Sequence, residues 1–336
     1  MTRRRLLSTT NVNKDLVLYQ IDEKEWKYEA YKFRGPKEFI WHDIILRTGT
    51  GAPLDMVYIR MRDKDRPANT DNLIMGAYPF AFVCPSTRGL SLALTRRLLC
   101  STNLPVYATY RSGSPLTVAR DILSPLKDIE ESRLKLIPLD LTHEDSIAAA
   151  AQQLSDSLPR DQGSFLHTAF MTGGMLHVEK QPGDLDANII RQTFQINVAS
   201  HLLLIKHFAH FLPKARSTAD DEGKPARWVH ITARLGSVTD NKSGGWYSYR
   251  ASKAALNQVI KTFDRQLQQG NSHAMCVGIH PGTVKTDLSK PFWNSIPKGN
   301  LFEPDFAAER IMETVEKLEL GARGKVWDWS GKEVPP

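Results

Sequence analysis

Two hydrophobic rhythms alternate along most of this chain. Short apolar runs rich in β-branched and aromatic residues recur at Phe80-Ala-Phe-Val, Val106-Tyr-Ala-Thr-Tyr, Leu134-Lys-Leu-Ile-Pro-Leu, Gly163-Ser-Phe-Leu-His-Thr-Ala, Trp228-Val-His-Ile-Thr and Met275-Cys-Val-Gly-Ile-His. Their length and composition predict buried strands. Between them, apolar positions recurring every three or four residues predict helices at about 90–100, 144–158, 197–212 and 249–268. Continuously apolar strands separated by helices predict a parallel sheet covered on both faces. The fold expected is α/β, a single Rossmann-type doubly wound parallel sheet flanked by helices.

The first 75 residues have a different texture. Leu16-Val-Leu-Tyr-Gln-Ile, Trp26-Lys-Tyr-Glu-Ala-Tyr-Lys-Phe and Met56-Val-Tyr-Ile-Arg-Met are β-rich, with Gly and Pro between them. The polar stretch from Arg62 to Asn72 around Pro67 reads as a linker. Residues 1–75 are expected to form an N-terminal β-rich extension of unknown role, and residues 76–336 the main domain. A length of 336 residues fits two ordinary domains or one large α/β domain with an appendage.

Composition narrows the partners. Hydrophobic and charged fractions of 41% and 24% are ordinary for a globular protein. No apolar run approaches the roughly 20 residues that span a bilayer, so no membrane partner is expected. The balance of 44 Lys+Arg against 37 Asp+Glu gives a net charge of +7. That excess is spread thinly, with no basic block beyond Arg3-Arg4-Arg5, and reads as a solvated surface rather than a nucleic-acid site. Cys84, Cys100 and Cys276 lack metal-ligand or disulfide spacing, which fits a reducing compartment and no metal. The chain is expected in the cytoplasm. Its Arg- and Ser/Thr-rich start, without an acid until Asp15, gives a mitochondrial presequence as the alternative.

Candidate chemistry concentrates in Gly245-Trp-Tyr-Ser-Tyr-Arg-Ala-Ser-Lys-Ala-Ala-Leu-Asn257. Tyr249 and Lys253 are four apart, which puts both on one side of a helix. A cation beside a phenol favours the phenolate and lowers its pKa, tuning it to exchange a proton with a carbonyl or alcohol. Tyr28 and Lys32 share the spacing and read as an ordinary solvated pair.

The first strand of the main domain runs into Val83-Cys-Pro-Ser-Thr-Arg-Gly-Leu-Ser91 and then a helix, a turn that can present backbone N–H groups to a pyrophosphate. Gly89 alone remains of the usual three glycines; Pro85 and Ser91 take the other two positions, and Ser86 and Thr87 can return hydroxyl donors. Arg88 in this turn, with Leu90 beside it, and Arg111 after the second strand suit a 2′-phosphate, favouring NADPH/NADP+ over NADH. Asp140-Leu141 can meet the adenine, and Asp140 can also cap the helix starting near Glu144.

Taken in order, these parts resemble the short-chain dehydrogenase/reductase family over about 77–336, most closely its carbonyl-reductase-like branch of the sniffer or C-factor type. The resemblance rests on Leu235-Gly-Ser-Val-Thr-Asp-Asn241, Gly245 to Asn257, His280-Pro-Gly-Thr-Val-Lys-Thr-Asp-Leu-Ser-Lys-Pro-Phe292 and Lys325-Val-Trp-Asp-Trp-Ser-Gly-Lys-Glu-Val-Pro335. It implies that Tyr249 is the acid/base, and that Lys253 lowers its pKa and bonds the nicotinamide ribose. It further implies that Asn197 holds a water in a proton relay, and that Pro281, Gly282 and Val284 through Thr286 meet the nicotinamide. It also implies a homodimer through the helices beginning near Asn197 and Tyr249.

Two departures accompany the resemblance. Thr232-Ala233 stands where the family has two serines, which makes Ser237 the candidate replacement hydroxyl. His167-Thr-Ala-Phe170 stands for the usual Asn-Asn-Ala-Gly. The expected activity is NADPH-dependent reduction of a small ketone or aldehyde, with Trp246, Phe292 and Trp293 pointing to an apolar substrate. The competing expectation, motivated by the eroded turn and missing serine, is a cofactor sensor or structural subunit with little turnover.

Overall fold

The computed structural model describes residues 78–159, 163–213 and 224–336, together with five short strands before them. The chain divides into two units, Met1–Leu73 and Ile74–Pro336. In the first, Arg5–Leu6, Tyr19–Gln20 and Trp26–Lys27 pair antiparallel, as do Phe39–Trp41 and Met61–Asp63. The expected strands overlap three of these; their remaining residues, the Tyr28/Lys32 pair, Arg3, Arg4 and most of the linker lie outside the described residues.

The second unit alternates as the hydrophobic rhythm predicts. Its elements begin β1 (Tyr78–Cys84), α1 (Gly89–Ser101), β2 (Val106–Tyr110), α2 (Pro115–Leu123), β3 (Leu134–Pro138), α3 (Glu144–Ser157) and β4 (Ser164–Met171). There follow α4 (Ala187–Phe194), a π-turn (Gln195–Ala199), α5 (Ser200–Phe208), β5 (Ala226–Ile231), α6 (Tyr247–Gln269) and β6 (Ala274–His280). A small parallel pair, β7 (Thr283–Val284) and β8 (Leu301–Phe302), precedes α7 (Pro304–Lys317), β9 (Val326–Asp328) and β10 (Glu333–Val334).

The main sheet has the order β3-β2-β1-β4-β5-β6-β9-β10, parallel throughout except for the last pair. Strand order reverses between β1 and β4, and the crevice beside such a reversal is where open α/β sheets bind ligands. Alternation along β1 divides the core. Phe80, Phe82 and Cys84 join Trp228, Leu256 and Ile260 on the α6 side, whereas Ala81 and Val83 join Leu94, Val277 and Ile311 on the α1–α7 side. Every residue of β2 and β5 is buried, as two-sided cover requires.

Helices α2, α4 and α7 are additions to the sequence expectation. Ser114 accepts from Thr117 N at the start of α2, and Asp186 accepts from Asn188 N and Ile189 N at the start of α4; Pro opens α2 and α7. The helix expected from Asn197 instead begins at Ala187 and passes through the π-turn into α5. No described helix is long and apolar enough to cross a membrane.

Candidate active site

A cavity of about 520 Å³ opens at the carboxyl ends of β1, β4, β5 and β6. Helix α6 crosses it because its buried positions, among them Tyr249, Lys253, Leu256, Ile260, Phe263 and Leu267, fall on one stripe against the sheet. The contact is close. A Cβ on Gly278 of β6 would come within 2.8 Å of Ile260, and one on Gly236 within 2.7 Å of the Lys253 carbonyl carbon.

Tyr249 and Lys253 both line the cavity and are both buried. The Lys253 ammonium lies 5.9 Å from the Tyr249 ring centroid and donates to the Ile231 carbonyl at 3.1 Å. Burial pushes the Tyr249 phenol above its ordinary value, so the expected lowering by Lys253 is corrected: desolvation dominates here. Burial likewise brings the Lys253 amine down to about 8. The Tyr249 hydroxyl faces the cavity without a protein hydrogen bond among the described residues.

Asn197 sits inward on the π-turn, a local irregularity that often marks functional sites. Its amide is fully engaged. Nδ2 donates to the Met175 carbonyl at 3.0 Å and to Ser252 Oγ at 2.9 Å, and Oδ1 accepts from Met175 N at 2.8 Å. It thereby ties the loop after β4 to α6. A Cβ on Gly174 in that loop would lie 3.7 Å from Lys253 Nζ and 3.8 Å from Asn197 Oδ1.

At the other end of the cavity, Gly89 opens α1 with φ +53°, and a Cβ there would come within 2.8 Å of Thr286 Cγ2. Arg88, Gly89, Leu90, Pro281, Gly282 and Val284 line the cavity, as does Thr286. Ser86 does not: its hydroxyl is buried and donates to the Thr109 carbonyl at 2.8 Å. Thr87 is exposed and lies off the cavity wall, as does Arg111, whose charge helps hold the Asp140 carboxyl below its ordinary value after the Thr142 hydrogen bond.

Asp140 accepts from Thr142 N and Oγ1 in a local turn, and His143 rather than Asp140 is the N-cap of α3. Leu141 packs toward Gly173, where a Cβ would meet it at 2.7 Å.

Three expectations are overturned by packing. Ser237 is buried and donates to the Pro336 carbonyl at 3.1 Å while accepting from Asp240 N, so it faces away from the cavity and only Ala233 occupies the expected position. Residues 167–170 lie within β4, and the loop that borders the site is Thr172-Gly173-Gly174 instead. His167 bonds Thr168 Oγ1 and is held below its ordinary pKa by burial and by Arg227. Trp293 donates to Ser289 and is absent from the cavity wall, whereas Trp246 and Phe292 stack there at 4.8 Å.

Sequence reasoning missed the wall contributed by Met175, Leu176, Leu235, Thr283, Leu288 and Ile296, since loops, single turns and a two-residue strand are too short to carry a periodic signal. Among the described residues, no group of three His, Cys, Asp or Glu side chains is arranged to hold a metal.

A sequence profile of the short chain dehydrogenase family matches residues 80–296. A 1-hydroxy-2-glutathionyl-2-methyl-3-butene dehydrogenase of Rhodococcus sp. (strain AD45) is 32% identical over 187 residues, 56% of this chain and 74% of that protein. The C-signal protein of Myxococcus xanthus is 32% identical over 153 residues, covering 46% of this chain and 82% of its own. Among solved structures, an NADPH-bound carbonyl reductase from chicken fatty liver is similar with a TM-score of 0.64 at 25% identity, over 76% of this chain and 98% of that one.

Proposed function

The chain belongs to the short-chain dehydrogenase family, and from that premise we propose that it reduces a ketone or aldehyde with NADPH, Tyr249 donating the proton. The observation that carries this reading is the phenol itself, buried, turned to the cavity without a protein partner among the described residues, and one helical turn from an amine.

The residues present fit a dinucleotide. A 13-residue helix starts at Gly89 on the cavity wall with no acid in its first turn, and its free N–H groups suit a pyrophosphate. Arg88 and Arg111 would hold a 2′-phosphate, Asp140 and Leu141 would meet the adenine, and Lys253 would bond the nicotinamide ribose. Backbone groups from Pro281 to Thr286 would take the carboxamide. The cofactor, when bound, supplies the hydride that reaches the carbonyl carbon. The NADPH bound by the chicken carbonyl reductase supports the choice of coenzyme.

Tyr249 delivers its proton to the carbonyl oxygen. Its burial keeps that proton in place at neutral pH, and Lys253, with a pKa of about 8, keeps a cation beside the phenolate left behind. Trp246, Phe292, Met175 and Leu176 surround the remaining space and suit an apolar substrate body. A homodimer through α5 and α6 belongs to the same reading, with the half-exposed Leu202 on the face it would cover.

Replacing Tyr249 with Phe is expected to lower kcat/KM by about 10²–10⁴-fold, read as NADPH oxidation across a carbonyl panel. Undiminished turnover would overturn the mechanism. One observation favours a second reading as a cofactor sensor: Ala233 occupies the serine position and Ser237 is turned away. Tight NADPH binding without turnover on any carbonyl would select it.

A further inference from the structure

Glu179 is fully buried, yet no cation pairs with it among the described residues. Its carboxylate accepts from the backbone N–H of Ser248 at 2.7 Å and from the Ser248 hydroxyl at 2.6 Å. Its backbone carbonyl accepts from Trp246 N at 2.6 Å. One residue from the segment after β4 thus holds three groups at the start of α6. An anion is favoured at that end of a helix, where unpaired N–H groups and the macrodipole concentrate positive charge.

The start of α6 needs such a hold. Gly244, Gly245 and Trp246 have φ of 65°, 66° and 54°, a left-handed run that disfavours a bulky side chain at its last position. Trp246 is the N-cap and supplies no side-chain cap of its own. Its indole nevertheless forms the cavity wall, 4.8 Å from the ring of Phe292 and 6.3 Å from that of Tyr249. Ser248, which donates both bonds to the carboxylate, directly precedes Tyr249. The segment that carries Glu179 also supplies Gly174, Met175 and Leu176 to the cavity. A single carboxylate therefore links two walls of the site.

We propose that Glu179 is a positioning residue for the reaction, capping α6 from the loop after β4 and so fixing Tyr249 and Trp246 against the substrate. The inference rests on the reading of Tyr249 as proton donor. It requires Glu179 to act through the phenol rather than through the coenzyme.

The test measures kcat, the KM for NADPH and thermal unfolding for Glu179→Ala, Glu179→Gln, Tyr249→Phe and Glu179→Ala/Tyr249→Phe. Glu179→Ala is expected to lower kcat by about 10–100-fold, the scale of a small misplacement of a reacting group. KM for NADPH should stay within about twofold. Glu179→Gln keeps an acceptor for Ser248 N and should recover most of the loss. In the Tyr249→Phe background, Glu179→Ala should have almost no further effect, because residues acting as a unit are non-additive.

Unchanged kcat in Glu179→Ala, or an undiminished loss in the Tyr249→Phe background, overturns the proposal. If Glu179→Ala does not fold, Ser248→Ala removes one of the two carboxylate bonds, and kcat equal to the parent overturns it equally. A Tyr249→Phe enzyme as fast as the parent instead rejects the proton-donor reading itself.

Discussion

Three histidines near the site, His201, His230 and His280, are held neutral by burial, and the first two share a chain of hydrogen bonds whose direction is fixed at one end. An indole nitrogen can only donate, so Trp228 Nε1 makes His230 Nε2 an acceptor at 2.9 Å. His230 Nδ1 then donates to His201 Nδ1 at 2.8 Å, and His201 Nε2 donates to the Gly173 carbonyl at 3.0 Å. Burial brings His201 down to about 3 and His280 to about 4, and lowers His230 in the same direction. An unfolded histidine titrates near 6.5, so below that pH the unfolded chain takes up protons that the folded chain refuses. Stability is therefore complete above about pH 6.5 and falls as the pH drops below it, by up to about 1.4 kcal/mol per pH unit for each such histidine. Denaturant unfolding between pH 7 and 5 should show this slope. His280→Gln, at a ring whose Nδ1 has no partner, should flatten it. An unaltered slope would mean that His280 takes up its proton in the folded state.

The turn Arg234–Gly236 rests directly on α6, and Gly236 is the point of contact. A Cβ there would lie 2.7 Å from the Lys253 carbonyl carbon and 2.8 Å from its oxygen, atoms of a buried helix backbone that cannot yield cheaply. Gly236→Ala should cost about 1–3 kcal/mol, as overpacking does. Gly321→Ala meets nothing within 4 Å and should change stability by about 0.5 kcal/mol or less. Equal denaturation midpoints for the two variants would refute the contact. What was legible beforehand follows the same division between regular elements and their junctions. The six parallel strands and α6 announce themselves through apolar runs and a helical stripe, and the Tyr249/Lys253 pair stands out from the equally spaced Tyr28/Lys32 only through the motifs around it. Helix α2, at nine residues, offers too few turns for a clear period, and the π-turn breaks the period at the point where Asn197 sits. Ser237 looked available because sequence cannot show that its hydroxyl is already engaged by Pro336 and Asp240. Glu179 was invisible for a related reason: its partner, Ser248, is 69 residues away.

On the scale of the folded unit, the coenzyme preference proposed for this site becomes a statement about stability. A ligand that binds only the folded state adds RT ln(1 + [L]/Kd), about 2.7 kcal/mol at a hundredfold excess over Kd. For a domain of this size, each kcal/mol moves the thermal midpoint by about 2–4 °C. NADPH at such an excess should raise the midpoint by roughly 5–10 °C, and NADH at the same concentration by less. The difference should come from the arginines, because the two coenzymes differ only by the 2′-phosphate. Arg88 and Arg111 are exposed, so their attraction is screened once the Debye length shrinks. Raising salt from 0.01 M to 1 M shortens that length from about 30 Å to about 3 Å and should narrow the gap between the coenzymes. Arg111→Ala should narrow it at low salt while leaving the NADH shift unchanged. A gap that survives both changes would place the discrimination elsewhere in the cavity, and a larger shift with NADH would reverse the coenzyme assignment.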